Sequence, residues 1–222
     1  MDPSSLIISL EGNIGVGKST MLNRIKKYLG DEINGMKVVF LQEPVDEWQS
    51  IKDRKGEDIL TKFYRDQDKY AFPFQMMAYI SRQALLIEAV EKNPGSIIIS
   101  ERCIHTDKHV FAHMLHEDGK IEDINYAIYN KWFDTFSQKH QYNGHIYLRA
   151  SPEICHKRVQ KRSRSGEAIP LEYLTKCHDN HDNWLMQSKN TILLSVDHDI
   201  NDAADKYADT CLKIKNYILA QL

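Results

Sequence analysis

The chain has 222 residues, with 29 lysines and arginines against 31 aspartates and glutamates, a formal charge of −2 with histidine neutral. That balance argues against a protein that coats nucleic acid, whose phosphate contacts need a basic surplus, and no nucleic-acid partner is expected. With 42% hydrophobic and 27% charged residues, 10 Gly and 6 Pro, the disordered, collagenous and low-complexity classes are excluded.

A chain of this length buries about 70% of its unfolded surface as one domain, and residues 1–222 are read as a single domain. Met1-Asp2-Pro3-Ser4-Ser5 leads into a short apolar stretch without a basic region or a small-residue cleavage pattern. No apolar run approaches the ~20 residues that span a bilayer. The expectation is a cytoplasmic protein with no membrane partner. Cys103, Cys155, Cys177 and Cys211 form no C-x-x-C pair and fit free thiols in a reducing compartment.

The first strand is expected over residues 6–10. Gly12-Asn13-Ile14-Gly15-Val16-Gly17-Lys18-Ser19 follows it and matches G-x-x-x-x-G-K-[ST], with Thr20 opening a helix expected over 20–29. Strand, loop and helix in that order are the context of a phosphate-binding loop. Glycines let backbone N–H groups turn toward an anion, Lys18 adds charge at the β- and γ-phosphates, and Ser19 offers a hydroxyl to Mg²⁺.

A second strand over 37–41 runs into Gln42-Glu43-Pro44, which places Glu43 beyond a strand's carboxyl end, where open parallel sheets bind ligands. Glu43 is either a general base for an attacking hydroxyl or a solvated loop acid. Trp48 is core or a ligand-stacking surface. A helix is expected over 73–92, with Pro73 at its first position.

The third strand, 96–100, ends in Glu101-Arg102-Cys103. Glu101 is suited to Mg²⁺ and Arg102 to a phosphate or to orienting Glu43, against the alternative of an ion pair that caps the strand. His105, His109 and His113 would share a helical face, but the glutamate of H-E-x-x-H is missing, and His178 and His181 lack partners at metal spacing. No transition metal is assigned. On a helix over 121–140, Tyr126, Tyr129, Phe133 and Phe136 read as core or subunit contact.

A fourth strand over 145–148 leads to a helix over 152–161 and to five positive charges in eight residues, Lys157, Arg158, Lys161, Arg162 and Arg164. Arg158 and Arg162 share a face. The segment reads as a nuclear-localisation or RNA-binding patch, a solvated face, or an arginine-rich lid over about 161–169. The phosphate loop in the same chain favours the lid. A helix over 170–187, a strand over 192–196 and a helix over 203–220 complete an α/β alternation that requires a parallel sheet flanked by helices.

Together these motifs resemble the deoxyribonucleoside kinase family, on the deoxycytidine and deoxyguanosine kinase branch. The resemblance runs over about residues 6–196. It is carried by Glu11 through Thr20, Glu43-Pro44-Val45 with Trp48, Phe74-Gln75, Glu101-Arg102, Ile169-Pro170-Leu171-Glu172-Tyr173-Leu174, His181 and Trp184-Leu185. It implies a P-loop kinase fold with a five-stranded parallel sheet and a lid. The implied activity is transfer of a phosphoryl group from ATP, with Mg²⁺, to the 5′-hydroxyl of a deoxynucleoside, in nucleotide salvage. The loop from Gly12 to Thr20 would hold ATP together with Arg158, Arg162 and Arg164, and Ser19 and Glu101 would hold Mg²⁺.

By the same resemblance Glu43 is the general base, with Arg102 and Lys18 at the transferring phosphate. Gln75 meets the base between the walls Phe74, Phe111 and Trp48, while Tyr64 and the lid acid Glu167 meet the 3′-hydroxyl, with Glu172 as the fallback. Ala78, Arg82 and Asp107 fall at the base-discriminating positions. An aspartate accepts from an exocyclic amine and crowds a thymine methyl, which favours deoxycytidine and purine deoxynucleosides over thymidine. A homodimer with the helix from Ile121 at its interface is also implied. Cys103 departs from the family's usual serine.

Two rivals remain. A nucleoside monophosphate kinase shares the sheet and loop, but an acid at Glu43 would repel its anionic acceptor. A subunit that had lost activity would be expected to lack some of Lys18, Glu43, Glu101, Arg102 or the lid arginines, and all are present.

Overall fold

The computed structural model describes residues 5–139, 141–162, 169–197 and 204–222. Strands β1 (Leu6–Glu11) and β4 (Ile97–Glu101) are buried at every position, and this is why both are nearly continuous aliphatic runs rather than alternating ones. With β2 (Glu32–Ile33), β3 (Met36–Leu41), β5 (Gly144–Arg149) and β6 (Thr191–Ser195) they form a sheet of order β2-β3-β4-β1-β5-β6.

The five expected strands are all present and parallel. The sixth, β2, was not anticipated, and it pairs antiparallel with β3. The turn between them is Asn34-Gly35, both at positive φ, a hairpin signature that matches the twist of its two strands.

Register sets the carboxyl ends of the central strands side by side. Leu41 is opposite Ser100, Leu10 opposite Glu101, and Glu11 opposite Tyr147. The segments that follow β3, β4 and β1 therefore emerge along one edge, where chain order diverges to either side of β1 and a ligand crevice forms.

Helices α1 (Lys18–Leu29), α8 (Pro152–Arg162), α9 (Leu171–Leu185) and α10 (Ala204–Leu219) contribute to the largest core cluster, around β1, β4 and β5. A second, aromatic-rich cluster joins Trp48, Phe63, Phe74 and Phe111. It draws on α2 (Val45–Ser50), α3 (Ile59–Arg65) and α4 (Gln67–Lys92); α5 (Ile104–Thr106) packs Ile104 in a separate cluster with Tyr79 and Phe133, and the π-helical stretch over Asp107–Ala112 and α6 (His113–Glu117) then return to the aromatic-rich one. Asp58 and Asp66 start α3 and α4 by accepting the N–H of Thr61 and Lys69 at 2.8 and 3.2 Å, ordinary N-capping.

The expectation that Pro73 opens its helix is corrected by this cap. The helix starts at Gln67, and Pro73 lies inside it, leaving the Lys69 carbonyl without its intrahelical donor. The π-helical stretch also changes the reading of the histidines. The rings of His105 and His109 stack at 6.0 Å, while His113 points to solvent. Helix α7 (Asp123–Phe136) divides the aromatic residues expected there: Tyr129 and Phe133 are core, whereas Phe136 is exposed.

Candidate active site

The phosphate loop leaves β1 at Gly12 with φ 141°. A side chain there would collide with the Leu148 carbonyl, and one at Gly15 (φ 80°) would meet the Cys155 carbonyl at 2.5 Å. Only glycine lets β5 and α8 press against the loop this closely. Gly17, left-handed at φ 104°, turns the chain into α1. Asn13 pins the loop from within, its Nδ2 donating to Leu174 O and its Oδ1 accepting from Ile14 N, both at 2.8 Å. Arg158 braces it from α8, donating to Val16 O at 3.0 Å and to Val196 O at 2.8 Å.

Lys18 is buried, and its Nζ donates back to the carbonyls of Gly12 (3.2 Å) and Asn13 (2.9 Å). Burial, reinforced by the charge of Arg102, lowers its pKa to about 7 against the pull of Glu101, Glu43 and Glu11. An anion on the loop would reverse that shift. Beside it Ser19 Oγ donates to Glu101 Oε1 at 2.7 Å. A hydroxyl and a carboxylate oxygen thus meet at the loop's exit, hard donors of the kind that hold Mg²⁺.

Glu43 stands across the cavity. Its Oε1 accepts from Arg82 Nη2 at 3.0 Å and lies 3.3 Å from Arg102 Nε. Burial opposes its ionisation, but Arg82, Arg102 and Lys18 outweigh burial and hold its pKa down to about 2. Arg82 is shared: its Nε and Nη2 also grip Asp107 at 2.9 and 3.3 Å. Burial drives the Asp107 pKa up, with Arg82 opposing.

Arg102 adopts a left-handed φ of 64°, an uncommon backbone state for a side chain of this size. The turn directs its guanidinium over Phe111, 5.0 Å from the ring centre, and within 3.4 Å of His181 Nε2. His181 Nδ1 lies 2.6 Å from Cys177 O. Burial and the neighbouring Arg102 hold His181 neutral, so Nδ1–H donates and Nε2 accepts from Arg102.

The remaining wall is apolar. Trp48 meets Phe74 edge-on at 5.4 Å, Phe63 stacks on Phe74 at 4.6 Å, and Trp48 Nε1 donates to Ser81 Oγ at 2.8 Å. Gln75 is buried against this wall with Oε1 unpartnered. A single cavity of about 850 Å³ is lined by Lys18, Ser19, Glu43, Trp48, Tyr64, Phe74, Gln75, Ala78, Arg82, Glu101, Arg102, Asp107, Phe111, Arg158 and Arg162.

Of the other expected residues, Ile14, Gly15, Gly17 and Thr20 line the cavity too, whereas Gly12, Asn13 and Val16 shape the loop from behind. Arg164 and Glu167 lie outside the described residues. Glu172 points outward and pairs with Lys176. Phe63 and Leu60 also line the cavity and were not singled out in the sequence, and Tyr173, named there only within its motif and given no role, lines it too. Phe63 adjoins Tyr64 and could have been found once α3 was recognised from the Asp58 cap.

The family model for deoxynucleoside kinase matches residues 8–219. A fowlpox virus (strain NVSL) protein named "Probable deoxycytidine kinase" is 36% identical over 221 residues, covering 95% of this chain and 87% of its own. Human deoxycytidine kinase is 33% identical over 242 residues, covering 95% and 90%. The mitochondrial deoxyguanosine kinase of Xenopus laevis is 30% identical over 225 residues, covering 88% and 83%.

Proposed function

We propose a mechanism and a substrate range for a chain that belongs to the deoxynucleoside kinase family and phosphorylates deoxynucleosides. The donor is a nucleotide, taken here as ATP. The observation that carries the mechanism is Glu43, held between Arg82 and Arg102 in one cavity with the phosphate loop.

The nucleoside 5′-oxygen attacks the γ-phosphorus. Its bond forms as the bond from that phosphorus to the β,γ-bridging oxygen breaks, and ADP leaves. The 5′-hydroxyl proton passes to Glu43. A carboxylate with a pKa of about 2 takes the proton late, once the oxygen is bonded to phosphorus, in keeping with a loose transition state. Lys18, Arg102, Arg158 and Arg162 supply positive charge to the donor phosphates and the transferring group. Ser19 and Glu101 fit Mg²⁺, which when bound neutralises charge on the β- and γ-oxygens.

For the acceptor, Phe74, Phe111 and Trp48 enclose the base, and the orphaned Gln75 oxygen and Asp107 receive its donors. Arg82 fixes the Asp107 carboxylate, so an exocyclic amine is welcomed and a thymine carbonyl and methyl are not. Tyr64 and Glu167 are assigned to the 3′-hydroxyl. The relatives named deoxycytidine and deoxyguanosine kinase support the same range.

The exposed row Ile124, Ile128, Trp132 and Phe136, spaced four apart on α7, is apolar surface of the kind a partner covers, and we assign it to a homodimer interface. No helix among the described residues is long and apolar enough to cross a membrane, and a cytoplasmic location is proposed.

The test is a radiolabel panel of the four deoxynucleosides and their monophosphates with ATP and Mg²⁺. Deoxycytidine or a purine deoxynucleoside should give the highest kcat/KM. Thymidine ranking first would overturn the reading of Arg82 and Asp107, and turnover of monophosphates alone would overturn the role of Glu43.

A further inference from the structure

Beneath the phosphate loop, three potential metal ligands converge from three elements. Glu11 ends β1, Cys103 follows Arg102 after β4, and His145 lies on β5. One donor atom of each lies within 4.8 Å of the others, the only such group among the described residues. Glu11 and Cys103 are fully buried. Oε2 of Glu11 accepts from Thr106 Oγ1, but Oε1 has no hydrogen-bond partner. Tyr142, whose ring stacks near His145 at 6.3 Å, carries a second buried and unpartnered oxygen.

A buried carboxylate oxygen left without a partner is a polar group whose desolvation nothing in the fold offsets. Sequence spacing gave no sign of this cluster, because its members lie 92 and 42 residues apart along the chain, and only the pairing of β4 and β5 with β1 unites them.

We propose that Glu11, Cys103 and His145 bind one zinc-class divalent ion through three protein ligands with the fourth position left to water, tying the root of the phosphate loop to the segment that carries Arg102, separate from the Mg²⁺ pair Ser19 and Glu101. Thiolate, imidazole and carboxylate together are the donor set of Zn²⁺ and its probe Co²⁺, and they disfavour Mg²⁺. Binding displaces the Cys103 thiol proton to solvent. The ion's two charges then cancel one thiolate and one carboxylate, and the imidazole stays neutral.

Ser9 Oγ lies 2.8 Å from His145 Nδ1, and this hydrogen bond orients the ring and leaves Nε2 free to ligate, the usual outer-shell arrangement. Zinc bonds of about 2.0–2.3 Å require the three donors to draw together when the ion enters. Trp184, edge-on to His145 at 5.3 Å, backs the ring.

The test uses the full chain without nucleotide, stripped with a chelator and titrated with Co²⁺ or Zn²⁺. About one ion per chain should remain after gel filtration, with a thiolate-to-cobalt charge-transfer band and a raised Tm. Cys103→Ser should abolish the band, and His145→Gln should reduce retained metal to below about a tenth. Ser9→Ala should weaken binding roughly 10–100-fold, and Cys177→Ser should leave it unchanged. Circular dichroism of each variant reports its folding, and Ser9→Ala, which removes no ligand, carries the test if Cys103→Ser does not fold. Failure to retain stoichiometric metal in the parent chain, or retention unchanged in both Cys103→Ser and His145→Gln, overturns the proposal.

Discussion

The protonation state of Lys18 ties ATP binding to pH in a way that calorimetry can read. In the nucleotide-free chain burial brings its pKa to about 7, so at pH 8 only about one Lys18 in ten is charged. A triphosphate on the loop restores the charge, since an anion beside a buried ammonium favours its protonated form. Binding of ATP at pH 8 should therefore take up about 0.9 proton per chain, falling to about 0.1 at pH 6. Titrations in buffers of different ionisation enthalpy measure this directly, because at pH 8 the nucleotide's own phosphate, with a second pKa near 6, is already ionised.

The same titration should lower kcat/KM for ATP roughly tenfold between pH 6 and pH 8, while kcat, set by the nucleotide-bound complex, stays level. Lys18→Met should show no uptake. The sign for stability is opposite to that for binding. The unfolded lysine keeps its proton up to about 10.5, so this group adds stability to the free chain as pH rises from about 7 toward that value. Proton uptake below about 0.2 at pH 8 would refute the account of a desolvated lysine recharged by its ligand.

Glu43→Gln should lower kcat by ~10²–10⁴ with little change in nucleoside affinity, as stopped-flow binding alongside steady-state turnover will show; near-normal turnover would remove Glu43 from the base role. Because its pKa is about 2, Glu43 stays ionised above that value, and kcat should show no acid limb from this group between pH 5 and 8. Arg162→Ala should depress phosphoryl transfer in rapid-quench experiments and leave the nucleoside Kd unchanged. Asp107→Asn should narrow the preference for amine-bearing bases over thymidine by roughly 1–3 kcal/mol, measured as a ratio of kcat/KM values. Trp132→Glu on α7 should shift the chain from dimer to monomer in sedimentation, with its circular dichroism preserved.

The local code in the sequence determined a good deal. The G-x-x-x-x-G-K-S run specifies its own conformation, because backbone N–H groups can turn inward only where glycines permit it. The aliphatic runs of β1 and β4 declare strands buried on both faces, and Glu101-Arg102 at the end of β4 and Glu43 just beyond β3 announce themselves as charges at the carboxyl ends of strands. Elements set by short polar signals were harder to see. The Asn34-Gly35 hairpin and the Asp58 and Asp66 caps were legible in principle, but Pro73 drew the start of α4 too late, since a proline is tolerated inside a helix where the surrounding contacts favour the helix anyway.

What no reading along the chain could supply is which residues share a cavity and at what cost in charge. Arg82 lies 39 residues from Glu43 and 25 from Asp107, and only the packing of α4 against the sheet edge makes one guanidinium serve both. The low pKa of Lys18 and the unmet oxygens of Glu11 and Gln75 likewise come from burial, a property of the folded whole. Residue types and spacing carry the identity of the chemistry. The electrostatic state of each group depends on the dielectric and neighbours that tertiary structure alone assembles.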